Sequence, residues 1–141
     1  MRIQKILSAL SFISGAILAM ASFILFPVCE NLKQDGTRMG CFYSGIFITA
    51  MGILILIFSL LCFFKKFPAA MNFLSSVSAV MSWLVPNRII NLSGENWFCG
   101  LCGSLEHACR ASTMPAVGVL IAVIVLVNFA GLIFNFINGN K

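Results

Sequence analysis

The chain alternates between long apolar stretches and short polar segments. Ile6 to Phe26 carries no charge, and Phe42 to Phe64 carries none either, with Ser44, Thr49 and Ser59 as its minor polar interruptions. A third stretch, about Phe67 to Val85, is less pure, since it contains Asn72, Ser75, Ser76, Ser78 and Ser82. The fourth, about Met114 to Phe136, is interrupted by Asn128 and Asn135. A helix needs roughly 17–25 mainly apolar residues to cross a bilayer core, and each stretch has that length. The pattern predicts four transmembrane helices, outer loops at 27–41 and 86–113, and a short inner loop around residues 65–66. All of it belongs to a single membrane domain over residues 1–141.

Composition supports this reading. Of 141 residues, 60% are hydrophobic and 9% are charged, against roughly 45–50% and about 25% in a soluble domain. The mean hydropathy of +1.03 agrees. So little charge leaves a water-soluble fold without enough polar surface.

The charges then orient the helices. The formal net charge is +5. Arg2, Lys5, Lys65, Lys66 and Lys141 lie in segments without Asp or Glu. In the first outer loop Glu30 and Asp35 offset Lys33 and Arg38. In the second, Glu95 and Glu106 offset Arg88 and Arg110. The excess positive charge falls on one side, which the positive-inside bias makes the cytoplasm. Both termini are expected there, in a plasma membrane. The basic pI of about 9.1 then reflects anchors facing anionic lipid, and no nucleic-acid partner is expected. Ala19-Met20-Ala21 resembles a signal-peptide cleavage site, but the apolar stretch runs on through Phe26 and is too long for a signal core. The first span is expected to be retained.

The cysteines sort by side. Cys62 falls near the inner end of the second span and is expected to pack as a small hydrophobe. Cys29, Cys41, Cys99, Cys102 and Cys109 all fall in the outer loops, which fits an oxidising exterior. The two halves also resemble one another: each is a helix, an outer cysteine, a polar segment, a second cysteine and another helix. This reads as a weak tandem repeat of two helix hairpins, related by an axis along the membrane normal. The equivalent disulfides would be Cys29–Cys41 and Cys102–Cys109. Other pairings of five cysteines stay open.

Several segments carry a family likeness: Phe26-Pro27-Val28-Cys29, Met39-Gly40-Cys41 with Ser44-Gly45, Gly100-Leu101-Cys102, and Ala108-Cys109-Arg110-Ala111-Ser112-Thr113-Met114-Pro115-Ala116. Together they resemble the bacterial four-span proteins catalogued as domain of unknown function 4418. The resemblance covers nearly the whole chain and implies a bacterial plasma-membrane protein, with an ABC-type permease of the antimicrobial-peptide or macrolide-export kind as partner. Members of that family tend to carry histidine directly after the second and fourth cysteines. Here Phe42 and Arg110 stand in those places, and Cys99 is an additional cysteine.

Some residues suggest chemistry. Cys99-Gly100-Leu101-Cys102 is a C-x-x-C, as in membrane enzymes that reoxidise thiol carriers with quinone. Arg110 and the start of the fourth span could depress a thiol pKa there. Cys99, Cys102 and His107 also have the spacing of a zinc knuckle, but His107 to Cys109 is too short to complete it, so no metal is expected. No Asp, Glu, Lys, Arg or His lies within the spans, which argues against a proton-coupled pump. Asn72, Asn128 and Asn135 are expected to hydrogen-bond between helices. Small residues such as Gly15 and Ala19, or Gly118 and Ala122, either close the bundle or offer a face to another subunit. Trp83 and Trp97 fit an interfacial aromatic belt, and Trp97-Phe98 could contact a partner. Asn91-Leu92-Ser93 is a glycosylation sequon, without consequence in a bacterial protein.

The sequence therefore predicts an all-α membrane protein, a four-transmembrane-helix bundle of two tandem helix hairpins with disulfide-stapled outer loops. Its expected role is a non-enzymatic accessory or interaction subunit, embedded in the lipid bilayer, needing no cofactor, and associated with an ABC-type permease. The alternative is a quinone-linked membrane thiol-disulfide oxidoreductase using Cys99 and Cys102.

Overall fold

A computed structural model describes residues 2–25, 36, 38–64, 68–95, 97–101 and 109–139. Each of the four apolar stretches forms a helix within its described residues. Helix α1, Arg2–Met20, continues into a wider π-helical turn over Ala21–Leu25. Helix α2 is Gly40–Phe63 and α3 is Pro68–Leu84. A second π-helical turn, Cys109–Thr113, leads into α4, Met114–Gly139. Pro115 has no N–H to give the carbonyl of Ala111 four residues back, and the chain winds more widely there. Between α3 and α4 two short strands, β1 (Ser93–Gly94) and β2 (Trp97–Phe98), form an antiparallel hairpin that pairs Ser93 with Phe98 and Gly94 with Trp97.

The helices form a closed ring in which each packs on its chain neighbour and α4 returns to α1. Ser8 meets Cys62 and Ala19 meets Thr49, so α1 and α2 run antiparallel. Gly118 lies against Trp83 and Gly131 against Asn72, so α3 and α4 are antiparallel too.

The interior is small and polar, and the exterior is large and apolar. Buried positions include Ser8, Ser11, Ser44, Ser59, Asn72, Ser75, Ser78, Ser82 and Asn128, among Leu18, Ile48, Ile55 and Ile124. Leu126 is 69% exposed and Phe136 is 74% exposed, and Ile, Leu and Phe cover the outer faces of all four helices. Water would not tolerate such a surface, whereas hydrocarbon does. Three helical segments, Ile3–Leu25, Gly40–Phe63 and Arg110–Ile137, are long and apolar enough to cross a membrane. They mark the chain as a membrane protein.

Small residues are what bring the helices together. A Cβ on Gly52 would lie 2.6 Å from the nitrogen of Ala19 and 2.7 Å from its Cα. Only glycine permits that approach of α2 to the α1 backbone. The Gly15/Ala19 stripe therefore closes the bundle onto Gly52 and Ile55, and Gly118 receives Trp83. Gly15, Gly52 and Gly118 are thus engaged within the chain, while Ala122 is exposed.

Helix α3 has a defined stop. Ile89 donates to the Leu84 carbonyl at 3.0 Å and Arg88 to Val85 at 3.0 Å, the paired bonds of a Schellman cap. Arg88 takes the left-handed position (φ 59°) usually given to glycine. The bonds Val85 to Met81 and Asn87 to Trp83 carry helical winding beyond Leu84. The helical run from 68 to 87 then reaches about 30 Å, the thickness of a hydrocarbon core.

Candidate functional site

Two regions concentrate polar side chains: the interior of the bundle and the cap formed by residues 85–101. In the interior, Ser59 donates to Ser11 Oγ at 2.9 Å, and Asn128 Nδ2 donates to Ser11 Oγ at 3.1 Å and to the Ile124 carbonyl at 2.8 Å. Ser8 donates to Cys62 Sγ at 3.3 Å, and the thiol donates to Asn72 Oδ1 at 3.5 Å. These two chains tie α1 to α2 and α4, and α2 to α3, at one end of the bundle. In a dry interior every polar group must find a partner, and small hydroxyls do so without separating the helices. Ser44, Ser76 and Ser82 donate instead to carbonyls four residues back, at 3.0–3.1 Å.

The expected interhelical bonding thus holds for Asn128 and Asn72. It does not extend to Asn135, whose side-chain nitrogen is buried without a partner. Cys62 is buried, but as a link in a polar chain and not as an inert hydrophobe. The serines that complete these chains escaped the sequence reading. On α3 the signal is spacing: Asn72, Ser75, Ala79 and Ser82 recur on a single buried face.

The cap is built on the start of α2. Gly100 donates its N–H to Ser44 Oγ at 2.8 Å, and the Phe98 ring lies against Gly40, where a Cβ would collide with it. The Arg88 guanidinium lies 5.1 Å from the centre of the same ring and against Gly100. Leu101 donates to the Pro86 carbonyl at 3.1 Å and Cys99 to Leu92 at 2.8 Å. A line of rings then runs across the top: Phe23 to Phe42, Phe42 to Tyr43 and Tyr43 to Trp97, each pair 5.9 Å between centroids. Arg38 lies 4.1 Å from the centre of Phe42. Trp97 ends the line and is 40% exposed.

The model of the family described as Domain of unknown function (DUF4418) matches residues 11–134. The chain belongs to that family. No curated protein and no solved structure matches it.

Within this DUF4418 chain the cysteines occupy different settings. Cys41 is buried in the first turn of α2. Cys99 is 5% exposed, a free thiol whose pKa is pushed up by burial. Cys29, Cys102 and His107 lie outside the described residues, as does the side chain of Cys109, whose backbone opens the π-helical turn. No cysteine pair stands at disulfide distance among the described residues. Arg110 is exposed in that turn. No group of three or more His, Cys, Asp or Glu suited to a metal ion occurs among the described residues.

Proposed function

We propose that this DUF4418 protein is a non-enzymatic membrane subunit that presents its outer cap to a partner membrane protein. The observation that carries the reading is the cap itself, fixed to α2 through Gly100 and Ser44 with Trp97 displayed at its edge. Exposed tryptophan on a rigid support is a common anchor at interfaces. Gly15, Gly52 and Gly118 are engaged within the bundle, and a partner meets the cap and the lipid-facing side chains. An ABC-type permease is the partner that the family resemblance implies.

Four crossings of a plasma membrane complete the proposal, with both termini in the cytoplasm and the cap outside. Lys5 at one end of the bundle and the charge-balanced cap at the other support this orientation, and the length of the α3 helical run supports the fourth crossing. Cys29–Cys41 and Cys102–Cys109 are the proposed staples of the outer loops. Cys99 supports the non-enzymatic reading. A redox thiol must be accessible and of lowered pKa, and this one is buried with its pKa raised.

The experiment is photo-crosslinking in native membranes. A photoreactive residue at Trp97 should yield one dominant protein adduct, a permease subunit by mass spectrometry, while the same probe at Phe136 yields lipid adducts. Equal protein labelling at both positions, or none at Trp97, would overturn the proposal.

A further inference from the structure

A groove of about 320 Å³ runs between α1 and α2 on the lipid-facing side of the bundle, lined by Ser8, Ala9, Phe12, Ser59, Leu60 and Phe63. Two serines stand in its wall. Both hydroxyls are turned to the interior, Ser8 to Cys62 and Ser59 to Ser11, and the surface they leave is almost wholly hydrocarbon. Phe12, Leu60 and Phe63 form exposed rims, so the groove opens to the bilayer.

Its mouth carries a charge. The Lys5 ammonium lies 5.6 Å from the centre of the Phe63 ring, the residue at one end of the groove. No carboxylate occurs in the sequence before Glu30 or between Phe42 and Glu95, so no acidic residue in either helix competes for this ammonium. The combination is a slot for hydrocarbon with a cation at the level of the headgroups. A lipid chain is slender enough to lie along such a slot with its headgroup at the lysine.

We infer that the groove holds one acyl chain of an anionic phospholipid whose phosphate rests on Lys5. The chain supplies binding by apolar burial, and the lysine selects the headgroup. This goes beyond the proposed partner role and does not depend on which protein meets the cap.

The test is native mass spectrometry of the full chain, reconstituted in equal amounts of dioleoyl phosphatidylglycerol and dioleoyl phosphatidylcholine and released with mild detergent. One phosphatidylglycerol should be retained in preference. Lys5→Gln should reduce that preference about fivefold, the worth of one juxtamembrane lysine, while leaving a lipid bound. Ala9→Phe should fill the groove and lower retention of both lipids, and Ile13→Phe, at another lining position, provides a second filling variant. Circular dichroism of each variant checks that the helices persist. Equal retention of the two lipids by the wild type, an unchanged preference in Lys5→Gln, or full occupancy in folded groove-filling variants would overturn the inference. So would a second protein chain found there in place of lipid.

Discussion

Gly52→Ala tests the packing of the bundle at its narrowest point. The new methyl would lie 2.6–2.9 Å from the nitrogen, Cα and Cβ of Ala19, where carbon atoms prefer about 3.5–4.0 Å. Two of these contacts are backbone and cannot rotate away, so α1 and α2 must part by about 1 Å. Such overpacking costs about 1–3 kcal/mol. The separation also stretches the 3.1 Å bond from Thr49 to the Ala19 carbonyl beyond hydrogen-bond range, losing about 0.6 kcal/mol more. Alanine's better helix propensity returns about 1 kcal/mol, leaving a net loss of about 0.6–2.6 kcal/mol. Gly15→Ala is the comparison. Its methyl meets the Ile55 side chain at 2.9 Å, which can move, and the cost should be smaller. Unfolding in mixed detergent micelles, followed by circular dichroism, measures both. If Gly15→Ala costs as much as Gly52→Ala, or Gly52→Ala is neutral, the close backbone approach is not what joins these helices.

Two further outcomes follow from the polar groups. Asn128→Leu removes the α4 partner of Ser11 and should cost about 1–2 kcal/mol in the same assay, whereas Asn135→Leu, which loses no hydrogen bond of its nitrogen, should cost less or stabilise the fold. Cys99 should resist alkylation at neutral pH. Its pKa lies above the ordinary thiol value of 9.0, so the folded state favours the neutral thiol, and the stability this contributes is lost as pH rises through the raised value. Alkylation followed by mass spectrometry should therefore climb at a higher pH than for an exposed cysteine, and rapid labelling at pH 7 would contradict the burial.

The helices were legible in the sequence because bilayer thickness constrains apolar length, and no competing solvent blurs that signal. The third stretch was hardest for a physical reason. Asn72, Ser75, Ser78 and Ser82 dilute its hydropathy, yet these small residues sit on its buried face, where they allow close packing, Ser82 bonding its own helix and Asn72 accepting from Cys62 on α2. Trp97 was legible as a candidate contact, but the brace beneath it was not. The Gly100–Ser44 bond joins residues far apart in the chain, and a left-handed Arg88 at a helix end has no ordinary sequence signature. The role of Cys62 was missed because its partners lie on α1 and α3, and single-helix patterns carry no such information.

The central claim is an even number of crossings with the cap outside. Reporter fusions test it directly: an enzyme active only outside the cytoplasm, inserted at Glu95 in one strain and fused to either terminus in others. The account predicts activity at Glu95 and none at either end. Termini on opposite sides, as three crossings would require, or a silent reporter at Glu95 beside active termini, would contradict it.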